Sequence, residues 1–288
     1  MTSPEPNLQT SAPRDIPEPI KRQIRQRCGF GCVLCGLPLF EYEHLKGWAN
    51  VQRHMPEEIT LLCDRHHREK TAGLLPISDV ESADADPFNR RSGVSAPYDL
   101  HFASRSCEVV IGSNSARMDQ LQEGTGMCAL MIDGVSLVHF RLSDGHLLLS
   151  MLLFDAVNRL VLRISDNELV YSVDTWDIEL VGTNLLIRQA ARQILTDLRF
   201  EPDAGRVTMS RGRFLFNGVE LLITPDYALI VNNRSQFASC SMINCQFGLV
   251  LGEMPQEFGA AVRVQGIPRY LGDRTVAKAW ADANIGGL

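Results

Sequence analysis

From about residue 107 onward, apolar positions come in short runs of Val, Ile, Leu and Phe broken by turn residues, a pattern that predicts strands. A period shows in the breaks. Asp133, Asp144, Asp155, Asp166 and Asp177 recur every eleven residues, and Gly134, Gly145 and Asn167 follow three of them. Such a repeat suits one strand plus one tight turn, so residues 131–187 read as a meander of antiparallel strands. Residues 187–198, IRQAARQILTDL, break the alternation: Ile187, Ala190, Ala191, Ile194 and Leu198 share one helical face and predict a helix. Strands resume at 207–209, 213–216, 219–223 and 228–231.

Composition then divides the 288 residues. Residues 1–15 hold three prolines and little apolar material and read as a disordered tail. Residues 16–77 form a compact motif region. Residues 78–106, rich in Ser, Asp, Pro and Gly without a sustained period, read as a linker, and 107–288 as a mainly β domain. The fold class expected is α+β. No apolar run approaches the roughly 18 residues of a membrane span, and the first residues lack a signal-peptide core, so a cytoplasmic protein without membrane contact is expected. The net charge of −6 is unevenly spread: residues 14–75 carry ten Lys or Arg against eight Asp or Glu, whereas residues 76–288 are net acidic. Lys21, Arg22, Arg25 and Arg27 crowd a helix after Pro17 and Pro19, and Arg65, Arg68 and Lys70 crowd another; phosphate contacts and solvated helix faces both use such clusters.

The candidate chemistry lies in CGFGCVLCGLPLFEYEHLKGW and, after a short gap, EEITLLCDRHHREKTAG. Cys32 and Cys35 have the spacing of a zinc knuckle, and Cys63 and His66 repeat it about 30 residues later. Four such ligands close a tetrahedral structural zinc site, the staple that so small a module needs. Reduced thiols and zinc therefore fit the eight cysteines better than disulfides. Cys28 is a spare thiol, read as buried. Between the ligand pairs, the alternating Phe40 and Tyr42 lead a strand into Glu43-His44.

The order of these parts, zinc knuckle, strand ending in an acid and a histidine, loop, then Leu-Cys-x-x-His-His opening a helix, resembles the HNH endonuclease family. The resemblance covers about 60 residues and implies a ββα-metal module followed here by the β domain. It implies Glu43 and His67 as ligands of a catalytic divalent metal, Mg²⁺ or Mn²⁺, and His44 as general base in hydrolysis of DNA phosphodiesters. His66 and His67 divide the work, because successive helical residues point about 100° apart. Lys70 or Arg68 is a candidate to add positive charge at the phosphorus. One position departs from the family pattern: Glu58 stands where an asparagine is usual, with Asn50 and His54 in the same loop. That departure sustains an alternative, a weakly active or inactive zinc-finger adaptor that binds nucleic acid. In the larger part, Asp174, Trp176, Asp177 and Glu179 are explained by turn chemistry, Cys240 and Cys245 lie too loosely for a metal, and Arg211, Arg213 and Arg234 suit salt bridges as well as phosphate. A protein-contact or homo-oligomerisation role is expected there.

Overall fold

A computed structural model describes residues 15–253 and 259–269. The expected tail at 1–15 lies, apart from Asp15, outside these residues. The chain is mixed α and β, mostly sheet, and forms two compact units, Met1–Ala96 and Pro97–Leu288.

The first unit begins with α1 (Glu18–Cys28), entered through Pro17 and Pro19 and closed by Gly29 in the left-handed conformation, φ 73°. Strand β1 (Glu41–His44) pairs antiparallel with β2 (Ile59–Leu62), matching Glu43 to Thr60 and His44 to Ile59. The connecting loop carries a short helix α2 (Trp48–Val51). Helix α3 (Asp64–Thr71) follows β2 directly, with Cys63 as its N-cap. Ile24, Cys28, Val33, Ile59, Leu61 and Leu62 form a small buried core.

The expected linker is corrected here. Residues 78–92 are largely helical, as α4 (Ile77–Ala85) and α5 (Phe88–Ser92), entered from Pro76 and Pro87. Both belong to the first unit. Val80 is buried in its core, and the Asn89 side-chain amide, wholly buried, donates to the carbonyls of Gly29 (2.9 Å) and Gly36 (3.1 Å). A Cβ on Gly36 would collide with that amide, so glycine is required for the approach. Polar composition suggested a linker because these helices are short and bury only a residue or two each.

The second unit holds two sheets. In one, Gly126–Ile132, Val135–Ser143, His146–Phe154, Leu160–Ser165 and Glu168–Tyr171 run as consecutive antiparallel neighbours. In the other, Asp177–Val181, Asn184–Ala190, Gln193–Glu201, Arg206–Phe216 and Val219–Ile223 do the same. The eleven-residue rhythm is physical at three places. Asp133-Gly134, Asp144-Gly145 and Asp166-Asn167 are two-residue turns with both φ positive, the geometry that matches strand twist. Asp155 instead opens a longer turn, accepting the amides of Val157 (2.9 Å) and Arg159 (2.8 Å). Asp177 is no turn residue: it is buried at the start of a strand and paired with Arg188 at 2.8 Å. The meander therefore passes from one sheet to the other between Tyr171 and Asp177. Phe154 and Phe216, 5.0 Å apart, pack the two sheets together.

The helix expected at 187–198 is two strands. Leu185, Ile187, Leu195 and Leu198 are buried, whereas Ala191, one of the five residues of the apparent helical face, is exposed at the turn beside Arg192, φ 63°. A register shift near Ile194 disturbed the two-residue alternation and mimicked a helical period. Pairing with neighbouring strands overrides the helical propensity of the Ala, Gln and Arg residues. The segments at 207–209 and 213–216 are likewise one strand, Arg206–Phe216, bent at Gly212.

Among the described residues no helix is long and apolar enough to cross a membrane.

Candidate metal centre

The knuckle is built by backbone hydrogen bonds. The amide of Gly36 donates to the Cys32 carbonyl at 2.7 Å, that of Cys32 to Leu37 at 3.0 Å, and that of Val33 reaches Leu61 on β2, also at 3.0 Å. The turn is thus pinned beside the end of β2, where Cys63 caps α3. Donor atoms of Cys32, Cys35, Cys63 and His66 all lie within 4.8 Å of one another. Cys35 Sγ and Cys63 Sγ are 3.8 Å apart, and His66 Nδ1 is 3.3 Å from both Cys32 Sγ and Cys63 Sγ. A tetrahedral zinc with Zn–S bonds of about 2.3 Å and Zn–N of about 2.0 Å sets edges of roughly 3.8 and 3.5 Å. The Cys₃His group can hold a structural metal such as zinc.

Electrostatics agree with that donor set. A hydrogen bond from Cys35 holds the Cys32 thiol down, to about 4, and the same bond pushes Cys35 up; burial pushes Cys63 up. Three crowded thiols oppose one another's ionisation, and a divalent cation is what stabilises all three as thiolates. Cys28 is outside the group. Its thiol faces Thr60 and Asp84, and burial pushes it to about 12, which makes it inert.

A second polar cluster lies on the other side of the His66-His67 pair. Strand alternation sends Glu41 and Glu43 to one face of β1 and Tyr42 to the opposite face. Tyr42 is held there by Arg25 of α1, whose buried guanidinium donates to its hydroxyl at 2.8 Å. Glu43 meets α3: its Oε2 is 3.0 Å from His67 Nε2, and its Oε1 accepts from Lys70 Nζ at 2.5 Å. Lys70, only 9 % exposed, also reaches the His44 carbonyl at 3.3 Å. Glu41 Oε2 stands 3.4 Å from the other ring nitrogen of His67. Glu43 and His67 are therefore together.

His44 is placed differently. Its buried ring packs against Trp48 and His54, with centroids 5.1 and 5.4 Å away, and those two rings stack on each other at 4.7 Å. Nε2 of His44 is buried and has no hydrogen-bond partner among the described residues. Burial holds this histidine below the usual value, and the charge of His54 adds to the effect.

Glu58 is engaged by a neighbouring cation. Arg53 grips both of its oxygens, one at 2.9 Å, and holds the carboxyl below the usual range. Asn50 spends its amide on the Lys46 carbonyl at 2.7 Å. The basic clusters are also less free than their sequence implied. Arg25 is buried, Arg27 is paired with Asp84, and Arg65 and Arg68 are paired along α3 with Glu69 and Asp64. Lys70 is neither a surface charge nor an unattached cation.

Sequence reasoning missed Glu41, Trp48 and Arg53. The i, i+2 spacing of Glu41 and Glu43 was a usable signal; the aromatic stack in the loop had none. Comparison with protein-family models, curated proteins and solved structures finds no match to the chain.

Proposed function

We propose that the first unit is a metal-dependent endonuclease module, with a structural zinc on Cys32, Cys35, Cys63 and His66, and that it hydrolyses phosphodiester bonds in DNA with His44 as general base. The observation that carries this reading is the state of His44. A base needs a lone pair and a neutral ring. Nε2 is buried without a partner, and burial favours the neutral ring. A structural histidine so buried ordinarily satisfies both nitrogens.

Glu43 Oε2 and His67 Nε2 support the second half of the reading. They lie 3.0 Å apart, close enough for one ion to take both as ligands. A carboxylate plus an imidazole suits Mg²⁺ or Mn²⁺. Such an ion, when bound, supplies charge to a non-bridging phosphate oxygen and to the leaving oxygen. The chain itself supplies the ligands, the base and, through Trp48 and His54, the aromatic wall against which the base packs.

Nicking of supercoiled plasmid with Mg²⁺ or Mn²⁺ tests the reading, with zinc content measured in parallel as a check on folding. His44→Ala is expected to lose about 10²–10⁴-fold in rate while retaining its zinc. Equal cutting by the two proteins, or no cutting by wild type with either metal, overturns it. One observation favours a second reading, a zinc-finger adaptor that binds nucleic acid without turnover: Arg53 occupies both oxygens of Glu58 at the position where the HNH pattern has asparagine. That reading expects retention of labelled DNA with no product in the same assay.

A further inference from the structure

The Glu43–His67 pair has an unused half on each side chain, and both halves are tied. Glu43 turns Oε2 toward His67 and gives Oε1 to Lys70; His67 turns Nε2 toward Glu43, and its Nδ1 stands 3.4 Å from Glu41 Oε2. We propose that Glu41 and Lys70 are positioning residues for the divalent-metal site, leaving it one carboxylate oxygen and one imidazole nitrogen. The inference rests on the proposed metal reading of Glu43 and His67, and it adds which atoms bind and which cation is preferred.

The arrangement follows from two periodicities. Glu41 and Glu43 share a strand face because they are two residues apart; His67 and Lys70 share a helix face because they are three apart. Where β1 meets α3, the order of side chains is acid, imidazole, acid, ammonium. Each interior member thereby has a polar neighbour on both sides. Lys70 is too buried to sample solvent freely, and the His44 carbonyl holds it as well. It cannot leave Glu43 without exposing a charge to a poorly solvated place.

Two consequences follow. An imidazole whose distal nitrogen donates to a carboxylate is fixed in tautomer and orientation and is a better metal ligand. A carboxylate with one oxygen bonded to an ammonium offers a single oxygen to the ion. The site then has few protein ligands, and its remaining positions belong to water and to substrate oxygens. Magnesium and manganese accept that arrangement; calcium favours more oxygens and bidentate carboxylates.

The test measures Mn²⁺ binding to the zinc-loaded full chain from the paramagnetic resonance signal of free Mn²⁺, with Ca²⁺ as competitor. Glu41→Ala is expected to weaken Mn²⁺ binding by about 10–100-fold. Glu41→Gln, whose amide oxygen still accepts the Nδ1 proton, recovers most of that loss, which a merely structural role would not predict. Lys70→Met frees the second oxygen of Glu43 and is expected to raise Ca²⁺ competition against Mn²⁺ on the order of tenfold. Nitrogen-15 spectra of the His67 ring with Mg²⁺ should show a protonated Nδ1 in wild type and in Glu41→Gln. Wild-type Mn²⁺ affinity in Glu41→Ala together with unchanged Ca²⁺ competition in Lys70→Met overturns the inference while leaving the metal site standing. Absence of Mn²⁺ binding by wild type overturns the inference and the metal reading together.

Discussion

The two units keep their shape by different means. In the second, stability comes from apolar area: Phe140, Phe154, Phe214 and Phe216 are at most 1 % exposed, and consecutive strands supply aliphatic side chains to both sheets. In the first, the buried core is small, and two of its residues, Cys32 and Cys63, are themselves cysteines of the metal group. A core that small is a weak offset to the entropy of ordering its chain, and a metal held by the Cys₃His group would make up the difference. The contrast also sorts the chemistry. A unit held by packing needs few buried polar groups, whereas one with a Cys₃His group and buried ion pairs places polar side chains inside, His44 among them.

Stripping the metal should separate the units most sharply. Structural zinc contributes apparent binding energies of about 10–16 kcal/mol, so a strong chelator or Cys63→Ser is expected to abolish the melting transition of the first unit and leave that of the second in place. Calorimetry showing both transitions intact after removal of zinc would break the contrast. The converse change is Phe140→Ala, a large truncation in a fully buried place. It should lower the second unit's stability by about 3–5 kcal/mol without altering zinc content.

A smaller effect addresses the boundary. Asn89→Ala removes two buried hydrogen bonds to the knuckle segment. A loss of about 1–3 kcal/mol, confined to the first transition, is expected; a loss in the second transition instead would return residues 77–92 to the role of a linker. The smallest effect is in pH. Burial lowers the His139 value below 6.5, and its ring bonds Ser136 at 3.1 Å. The unfolded chain therefore binds more protons than the folded one just below pH 6.5, so this contribution is complete above that pH and is lost as pH falls through the folded value. The second transition should shift downward over that range, and His139→Gln should flatten the shift.

The sequence carried the tetrahedral group because its signal is arithmetic: two x-x spacings fix which side chains meet, whatever surrounds them. Glu43 and His67 were legible for a related reason, as the ends of a strand and the first turn of a helix. Contacts that depend on how a loop folds over were not. The stack of Trp48 and His54 on His44 and the grip of Arg53 on Glu58 are decided by the path of residues 45–58, which no local period records. The helix expected at 187–198 failed because one irregular step in strand pairing imitates a 3.6-residue period. The linker expected at 78–106 failed because composition weighs every residue alike, while Val80 and Asn89 decide the matter alone.

The paired left-handed residues at Asp133-Gly134, Asp144-Gly145 and Asp166-Asn167 also say something about the order of events when the chain first collapses. Each turn joins strands adjacent in sequence, so each hairpin can close within about 1–10 μs, before distant parts of the chain have met. The parallel pairings are another matter. Arg206–Phe216 beside Cys107–Ile111, and Phe247–Leu251 beside Gly126–Ile132, link residues 98 and 119 apart and carry the loop-closure cost that the hairpins avoid. The second unit is thus expected to assemble from its turns outward, with its long-range seams closing last and setting the pace.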